Sequence, residues 1–239
     1  MNNIFYHLLC VNDGVNRFKK TYNKIKQSGL IDNIDKIYVN CVGKNKQTDS
    51  NKIIDLEKVE VSVVPDVKFK VSPRKKAYGR TLDENESSTM NLMREFAISN
   101  THGNTLYLHS KGASKSNSDD VCIDCINAWN DYMEYFLIER YEECVKYLKD
   151  YDTCGCNLSK TPKKCPYPTE AKHYCGNFYW ATNEFLAKTE ECWNHRYYPE
   201  HYFLRSAGVG NHKEIFKVDF DYEDFYTKIL KREIYEKRT

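Results

Sequence analysis

The chain has 239 residues, with 36 Lys and Arg against 34 Asp and Glu, for a formal charge of +2. That length is ample for one sizeable hydrophobic core that needs neither disulfides nor metal to fold. The near-neutral balance excludes a phosphate-tracking nucleic-acid binder and an acidic disordered tail, and no stretch approaches the ~20 apolar residues of a membrane-spanning helix.

The first half alternates strand and helix. Residues 3–11, NIFYHLLCV, are a nearly unbroken apolar run, which predicts a strand buried on both faces. The opening MNNIFYHLLCVND has no basic leader and no small-residue cleavage site, so it reads as that strand and not as a signal peptide. Asn12-Asp13-Gly14 follows as a turn and helix start. Val15, Phe18, Tyr22 and Ile25 then recur at spacings of three and four, an amphipathic helix over 15–28 that Gly29 stops. Strands are expected at 34–42 and 58–64, a polar surface loop from Lys68 to Glu86, a Ser/Thr-capped helix at 87–99 and a short strand at 105–112. This alternation argues for a parallel-type sheet covered by helices.

The second half carries an aromatic-rich helical stretch at 121–149 with room for one break, then loop-rich sequence from 151 that ends in a strand, HYCGNFYWA, at 173–181. Helices are expected from Thr182 to 193 and from Pro199 to 206, a strand at 215–220 and a charged helix over 222–238. No linker or internal repeat divides 1–239, so the chain reads as a single domain with halves 1–112 and 113–239.

Ten cysteines without a leader suggest a reducing compartment and mostly buried thiols. Cys122 and Cys125 put two small apolar side chains on one helix face. Cys154, Cys156, Cys165 and Cys175, with His173 nearby, could make a zinc site, although their spacing matches no established zinc module.

In an open α/β sheet, ligands sit at the carboxyl ends of strands. The strand at 105–108 delivers His109, Ser110 and Lys111, followed by Gly112, which lets backbone approach a ligand closely. A cation, a hydroxyl and free N–H groups suit a phosphate or diphosphate, and an ordinary polar loop fits the same residues. If strand geometry continues, His109 and Lys111 point to one side. Gly176, Asn177 and Trp180 lie in an aromatic segment that suits a sugar platform or, equally, a core strand. Glu200, at a helix start, is a general-base candidate if it faces the same cleft, and otherwise a cap-region charge. Asp152 is a second carboxylate, at an expected strand start.

The segments LYLHSKGAS (106–114), the Trp-x-x-Tyr-Met-x-Tyr-Phe helix (129–136), YDTCGCN (151–157), HYCGNFYWA (173–181) and YPEHYFL (198–204) occur in an order that resembles a glycosyltransferase family of large DNA viruses and bacteria, similar to chlorovirus capsid-glycan glycosyltransferase domains. The resemblance implies a single GT-A-like α/β domain: a Rossmann-like, mixed but mostly parallel sheet flanked by helices, with nucleotide bound by the first half and acceptor and sugar by the second. It implies an inverting hexosyl- or deoxyhexosyl-transferase that moves a sugar from a nucleotide-diphosphate donor, UDP-sugar favoured, to a glycan or glycoprotein acceptor in the cytoplasm, the host's if the protein is viral. Val11, Asn12 and Asp13 would hold the nucleoside, and Tyr78 and Arg80 would lie beside the base or ribose. His109, Ser110, Lys111 and Gly112 would meet the diphosphate, Gly176, Asn177 and Trp180 the sugar and acceptor. Glu200, then Asp152, is the implied base. The family's Asp-x-Asp, which holds Mn²⁺ or Mg²⁺, is replaced by His109-Ser110-Lys111. Either His109 is then a lone metal ligand, or Lys111 neutralises the diphosphate itself. The alternatives are a catalytically inactive nucleotide- or carbohydrate-binding module on the same fold, and a Cys-rich zinc-binding interaction protein.

Overall fold

A computed structural model describes residues 1–64, 85–115, 122–160, 172–192, 199–200 and 210–237. The first half runs β1 (Asn2–Leu9), α1 (Gly14–Gln27), β2 (Lys36–Val42), α2 (Lys46–Ser50), β3 (Val59–Val63), α3 (Ser87–Ser99) and β4 (Asn104–His109). The second half runs α4 (Ile123–Glu134), a π-helical turn (Tyr135–Glu139), α5 (Tyr141–Tyr147), β5 (Thr153–Cys156), β6 (Leu158–Lys160), β7 (Lys172–Tyr174), β8 (Tyr179–Thr182), α6 (Asn183–Ala187) and β9 (His212–Phe216). Two helical turns, Asp224–Thr227 and Glu233–Glu236, close it.

Seven strands form one mixed, mostly parallel sheet in the order β3-β2-β1-β4-β8-β5-β9, with β8 antiparallel to both its neighbours. β6 and β7 pair as a separate two-stranded sheet. The chain steps outward from β1 to β2 and β3, then returns across to β4 on the other flank of β1. That reversal leaves a crevice at the carboxyl ends of β1 and β4, where open α/β sheets bind ligands.

Strand parity divides the core. Ile4, Tyr6 and Leu8 of β1, with Leu106 and Leu108 of β4, pack against Phe18, Tyr22 and Ile25 of α1 and against the α4 side. Phe5, Tyr107, Tyr179 and Ala181 face Met90, Met93 and Ala97 of α3. Both faces of the central strands are therefore buried, as an unbroken apolar run requires.

Two expected elements take another form. The strand at 173–181 is two strands joined by a turn that Asn177 N–H closes on Tyr174 O, with Gly176 at φ 93° and Asn177 at φ 60°. The 121–149 stretch is helical with one break, at the π turn, for which the sequence left room. The 222–238 helix is two short turns, because Phe225, Leu230 and Tyr235 are all buried, yet residues five apart do not share a helix face. The thiols also differ from expectation at one place: Cys122, the N-cap of α4, is disulfide-bonded to Cys125, while seven other cysteines are free and buried.

Trp180 is fully buried on the α4 face and donates Nε1 to Leu137 O at 2.9 Å, a carbonyl of the π turn. Trp180→Ala is expected to cost about 3–5 kcal/mol of stability, the range for emptying a buried aromatic site. Urea denaturation measures it, and a loss under 1 kcal/mol would contradict this packing.

Candidate functional site

The crevice is built from the ends of β1 and β4. Ser110 N–H donates to His7 O at 3.0 Å, and its hydroxyl accepts from Leu9 N–H at 2.9 Å. The hydroxyl expected to meet donor is thus committed to backbone. Strand geometry ends at His109, and Lys111 N–H turns back to His109 O at 2.8 Å. The side chains then diverge, Lys111 to the Trp129 ring and the His109 ring nitrogens to Gly176 O and Glu86, although both residues line one cleft. Gly112, at φ 82°, completes the turn, and a Cβ there would meet Ile126 Cγ2 at 2.7 Å. Only glycine fits this passage.

A cleft of about 200 Å³ opens between α1 and α4, with Asp13, Asn16, Arg17 and Lys20 on one wall, Asn127, Asn130 and Glu134 on the other, and His109, Lys111 and Phe178 at the strand end. Its floor is Tyr6 and Thr21. Glu134 is buried, accepts from the Thr21 hydroxyl at 2.5 Å and pairs with Lys24 Nζ at 2.6 Å. Burial, and then the Glu134 charge, push the Tyr6 hydroxyl well above its usual range. Of the expected nucleoside residues, Asp13 lines the cleft. Val11 and Asn12 form the turn into α1, with Asn12 at φ 44°.

Lys111 Nζ lies 3.9 Å above the Trp129 ring and 5.9 Å from that of Tyr226. Trp129 is stacked on Phe225 at 4.5 Å, so the carboxy-terminal turns form the back of this aromatic box. Among the described residues no carboxylate pairs with Lys111 within 4.0 Å, so its charge is met by ring faces. Glu200 is partly exposed at its helix start, behind buried Pro199. Burial, the larger effect, pushes the Cys175 thiol up to about 11, while Lys111 draws it down and Glu200 raises it further. Burial and then Glu200 raise Tyr222 likewise. Lys111 and Glu200 therefore act on one neighbourhood.

The α3 side holds a polar cluster that the sequence did not single out. Glu86, read as the end of a surface loop, turns into the sheet at the start of α3. Its Oε2 accepts from Tyr107 OH at 2.8 Å and Asn177 Nδ2 at 2.7 Å. His109 Nδ1 lies 4.0 Å from Oε1. The other ring nitrogen, Nε2, is 2.9 Å from Gly176 O, a pure acceptor, so Nε2 carries the proton. Thr89 Oγ1 meets His7 Nδ1 and Asn40 Nδ2, both at 2.9 Å. Burial works against the Glu86 carboxylate, but His109, His7 and the two hydrogen bonds overcome it and hold Glu86 below its usual range. Burial lowers His109, outweighing the pull of Glu86. The available signal was a carboxylate directly before the Ser87-Ser88-Thr89 helix start.

Gly176 and Asn177 reach this cluster. Trp180 does not, because its place on β8 turns it into the core. Asp152 lies at the opposite end of the sheet, where its Oδ2 accepts from Asn211 N–H at 2.7 Å. Tyr78 and Arg80 fall outside the described residues. Cys154, Cys156 and Cys175 are core residues, and Cys165 falls outside the described residues. Burial pushes the Cys156 thiol well up. Among the described residues no group of three or more His, Cys, Asp or Glu is arranged to hold a metal. The residues after β4 also do not suit Mn²⁺ or Mg²⁺: His109 directs one nitrogen to a carbonyl and the other to Glu86, Ser110 is tied to backbone and Lys111 is a cation.

Because Glu86 titrates below its ordinary 4.5, its contribution to stability is present above that pH and is lost as pH falls through the folded value. Glu86→Gln is expected to cost about 1–3 kcal/mol at pH 6, and the gap from wild type should shrink towards pH 3. Denaturation at both pH values checks this, and a constant gap would remove Glu86 from the acid response. Neither a protein-family model nor a curated protein matches the chain, so the reading of this site rests on its geometry.

Proposed function

We propose that the chain is a nucleotide-sugar-dependent glycosyltransferase of GT-A type, taking a UDP-sugar and glycosylating a glycan or glycoprotein hydroxyl. The observation that carries this reading is the cleft at the β1/β4 switch point, which joins the first turns of α1 to the residues after β4 and is lined by Arg17, Lys20 and Lys111. The mixed, mostly parallel sheet is compatible with it. The donor's diphosphate lies in the cleft and its sugar towards Asn177, Phe178 and Trp129. The acceptor oxygen attacks the anomeric carbon as the bond from that carbon to the diphosphate oxygen breaks. The bonding electrons leave with the diphosphate, whose growing charge Lys111 offsets. Glu200 takes the acceptor's proton, and a single displacement from the face opposite the diphosphate inverts the anomeric carbon. We place the reaction in the cytoplasm, as the resemblance implies; the seven buried free thiols fit a reducing compartment, and the Cys122–Cys125 disulfide does not.

A second reading is a nucleotide- or carbohydrate-binding module without turnover. It is favoured by Lys111 lying against Trp129 and by His109-Ser110-Lys111 standing where the family carries Asp-x-Asp.

Release of UDP from UDP-sugars, with and without added glycans, tests the reading. Glu200→Gln should lower turnover by about 10²–10⁴-fold and leave donor affinity within twofold; turnover near wild type would end the base assignment. Lys111→Ala should weaken UDP binding by about tenfold or more, the loss of one charge-assisted contact. Calorimetry measures it, and unchanged affinity would contradict the role given to Lys111.

A further inference from the structure

We propose that Arg17 and Lys111 hold the donor's diphosphate directly, with no divalent cation between protein and phosphate; this rests on the nucleotide-sugar reading above. Arg17 comes from the second turn of α1 and was not among the residues expected from the sequence. Its side chain is 12 % exposed, and its guanidinium carbon lies 3.5 Å from where a Cβ on Gly112 would stand. It is therefore laid along the backbone immediately after Lys111. Nη1 donates to Asn127 Oδ1 at 3.1 Å. Nε is buried and makes no hydrogen bond, its distance to Asp13 Oδ2 being 3.5 Å. On the cleft wall the guanidinium is thus held by Asn127 and, at 3.5 Å, by Asp13, and keeps donors to spare for an anion in the cleft. Arginine's planar fork fits phosphate oxygens.

Three further observations fit. No side chain caps the N-terminus of the 14-residue helix α1, so its dipole adds positive potential at the cleft mouth. Arg17, Lys20 and Lys111 face two lining carboxylates. Of those, Glu134 is neutralised by Lys24, and Asp13, 54 % exposed, accepts from Asn16 Nδ2 and pairs with Arg17; Lys20 is paired with Asp131. Asp13 is thus the one lining carboxylate open to a cation, and Arg17 already sits on it. Mg²⁺ asks for near-octahedral oxygen coordination and usually rests on one or two carboxylates. This wall offers an anion site in its place.

The test is calorimetric titration of UDP, GDP and inorganic pyrophosphate in EDTA and in Mn²⁺, for wild type, Arg17→Ala, Arg17→Lys and the distant surface control Lys188→Ala, with thermal melts of each. The expected result is equal affinity in EDTA and Mn²⁺ within twofold. Arg17→Ala should lose about tenfold or more, the range for a hydrogen bond to a charged group, Arg17→Lys should lose at least threefold, and Lys188→Ala nothing. Should Arg17→Ala fail to fold, the Arg17→Lys loss carries the result, since charge is kept and only the fork is gone. Binding that needs Mn²⁺ would overturn the inference and leave the glycosyltransferase reading standing. Metal-free pyrophosphate binding without any nucleotide binding would support the anion site and remove the nucleotide-sugar reading. Wild-type affinity in both Arg17 variants, or no pyrophosphate binding in either buffer, would overturn the inference.

Discussion

Ser110 fastens the chain leaving β4 to the end of β1, through Leu9 N–H and His7 O, before the two strands' connections diverge. The cleft depends on that attachment. It halts strand geometry at His109, three residues short of the strand expected at 105–112. The next residues then turn, and the turn needs Gly112 because Ile126 of α4 closes on it. Lys111 is carried to the α4 side, while His109, still on the strand, keeps the parity of Tyr107 and faces α3. A hydroxyl, two backbone contacts and a glycine thus decide which layer each charged side chain serves.

The two layers treat charge differently. On the α1–α4 side the buried carboxylate Glu134 is matched by Lys24 and Thr21 at hydrogen-bond distance, which is the condition for burying charge at tolerable cost. Arg17 is met by Asn127 and, at 3.5 Å, by the half-exposed Asp13, and Lys111 by an aromatic face. On the α3 side Glu86 is satisfied by neutral donors, Tyr107 and Asn177, with His109 beside it. That carboxylate ties β4, the β7–β8 turn and α3 together. Its place is architectural, whereas the cations across the sheet line the cleft.

Much of the frame was legible in the sequence. The apolar run at 3–11, the spacing of Phe18, Tyr22 and Ile25 and the helix at 87–99 state local periods that tertiary packing had no reason to override. Gly29 stops α1 at φ 77°. The second half was less legible because its periods are broken. Gly176-Asn177 inside an aromatic run is a turn signal that reads as a bulge when the flanking residues look like one strand. The site was partly legible: Lys111, Asp13 and Gly112 follow from their positions at strand ends. Which tryptophan serves the cleft depends on strand parity and on the partner of β8, which spacing does not encode; hence Trp180 is core and Trp129 underlies Lys111. Glu86 and Arg17 were missed for a related reason. Glu86 meets Tyr107 and Asn177, and Arg17 meets Asn127, across more than 20 residues of chain, and each looks in isolation like an ordinary helix-end or helix-face charge.

The reversed direction of β8 matters for how the cleft is walled. In the parallel half of the sheet, segments at the cleft end follow their strands and also carry the crossovers that hold the fold. β8 runs the other way, so the cleft is reached by the segment that precedes it, the turn bearing Gly176, Asn177 and Phe178. That segment joins β8 to a small separate sheet and is not itself a crossover in the parallel half. Two of its residues belong to the frame: Asn177 is tied to Glu86, and a Cβ on Gly176 would meet Met133 Sδ at 2.4 Å. Of the three, Phe178 is the one that lines the cleft, so framework and cleft wall are written on adjacent residues of one turn.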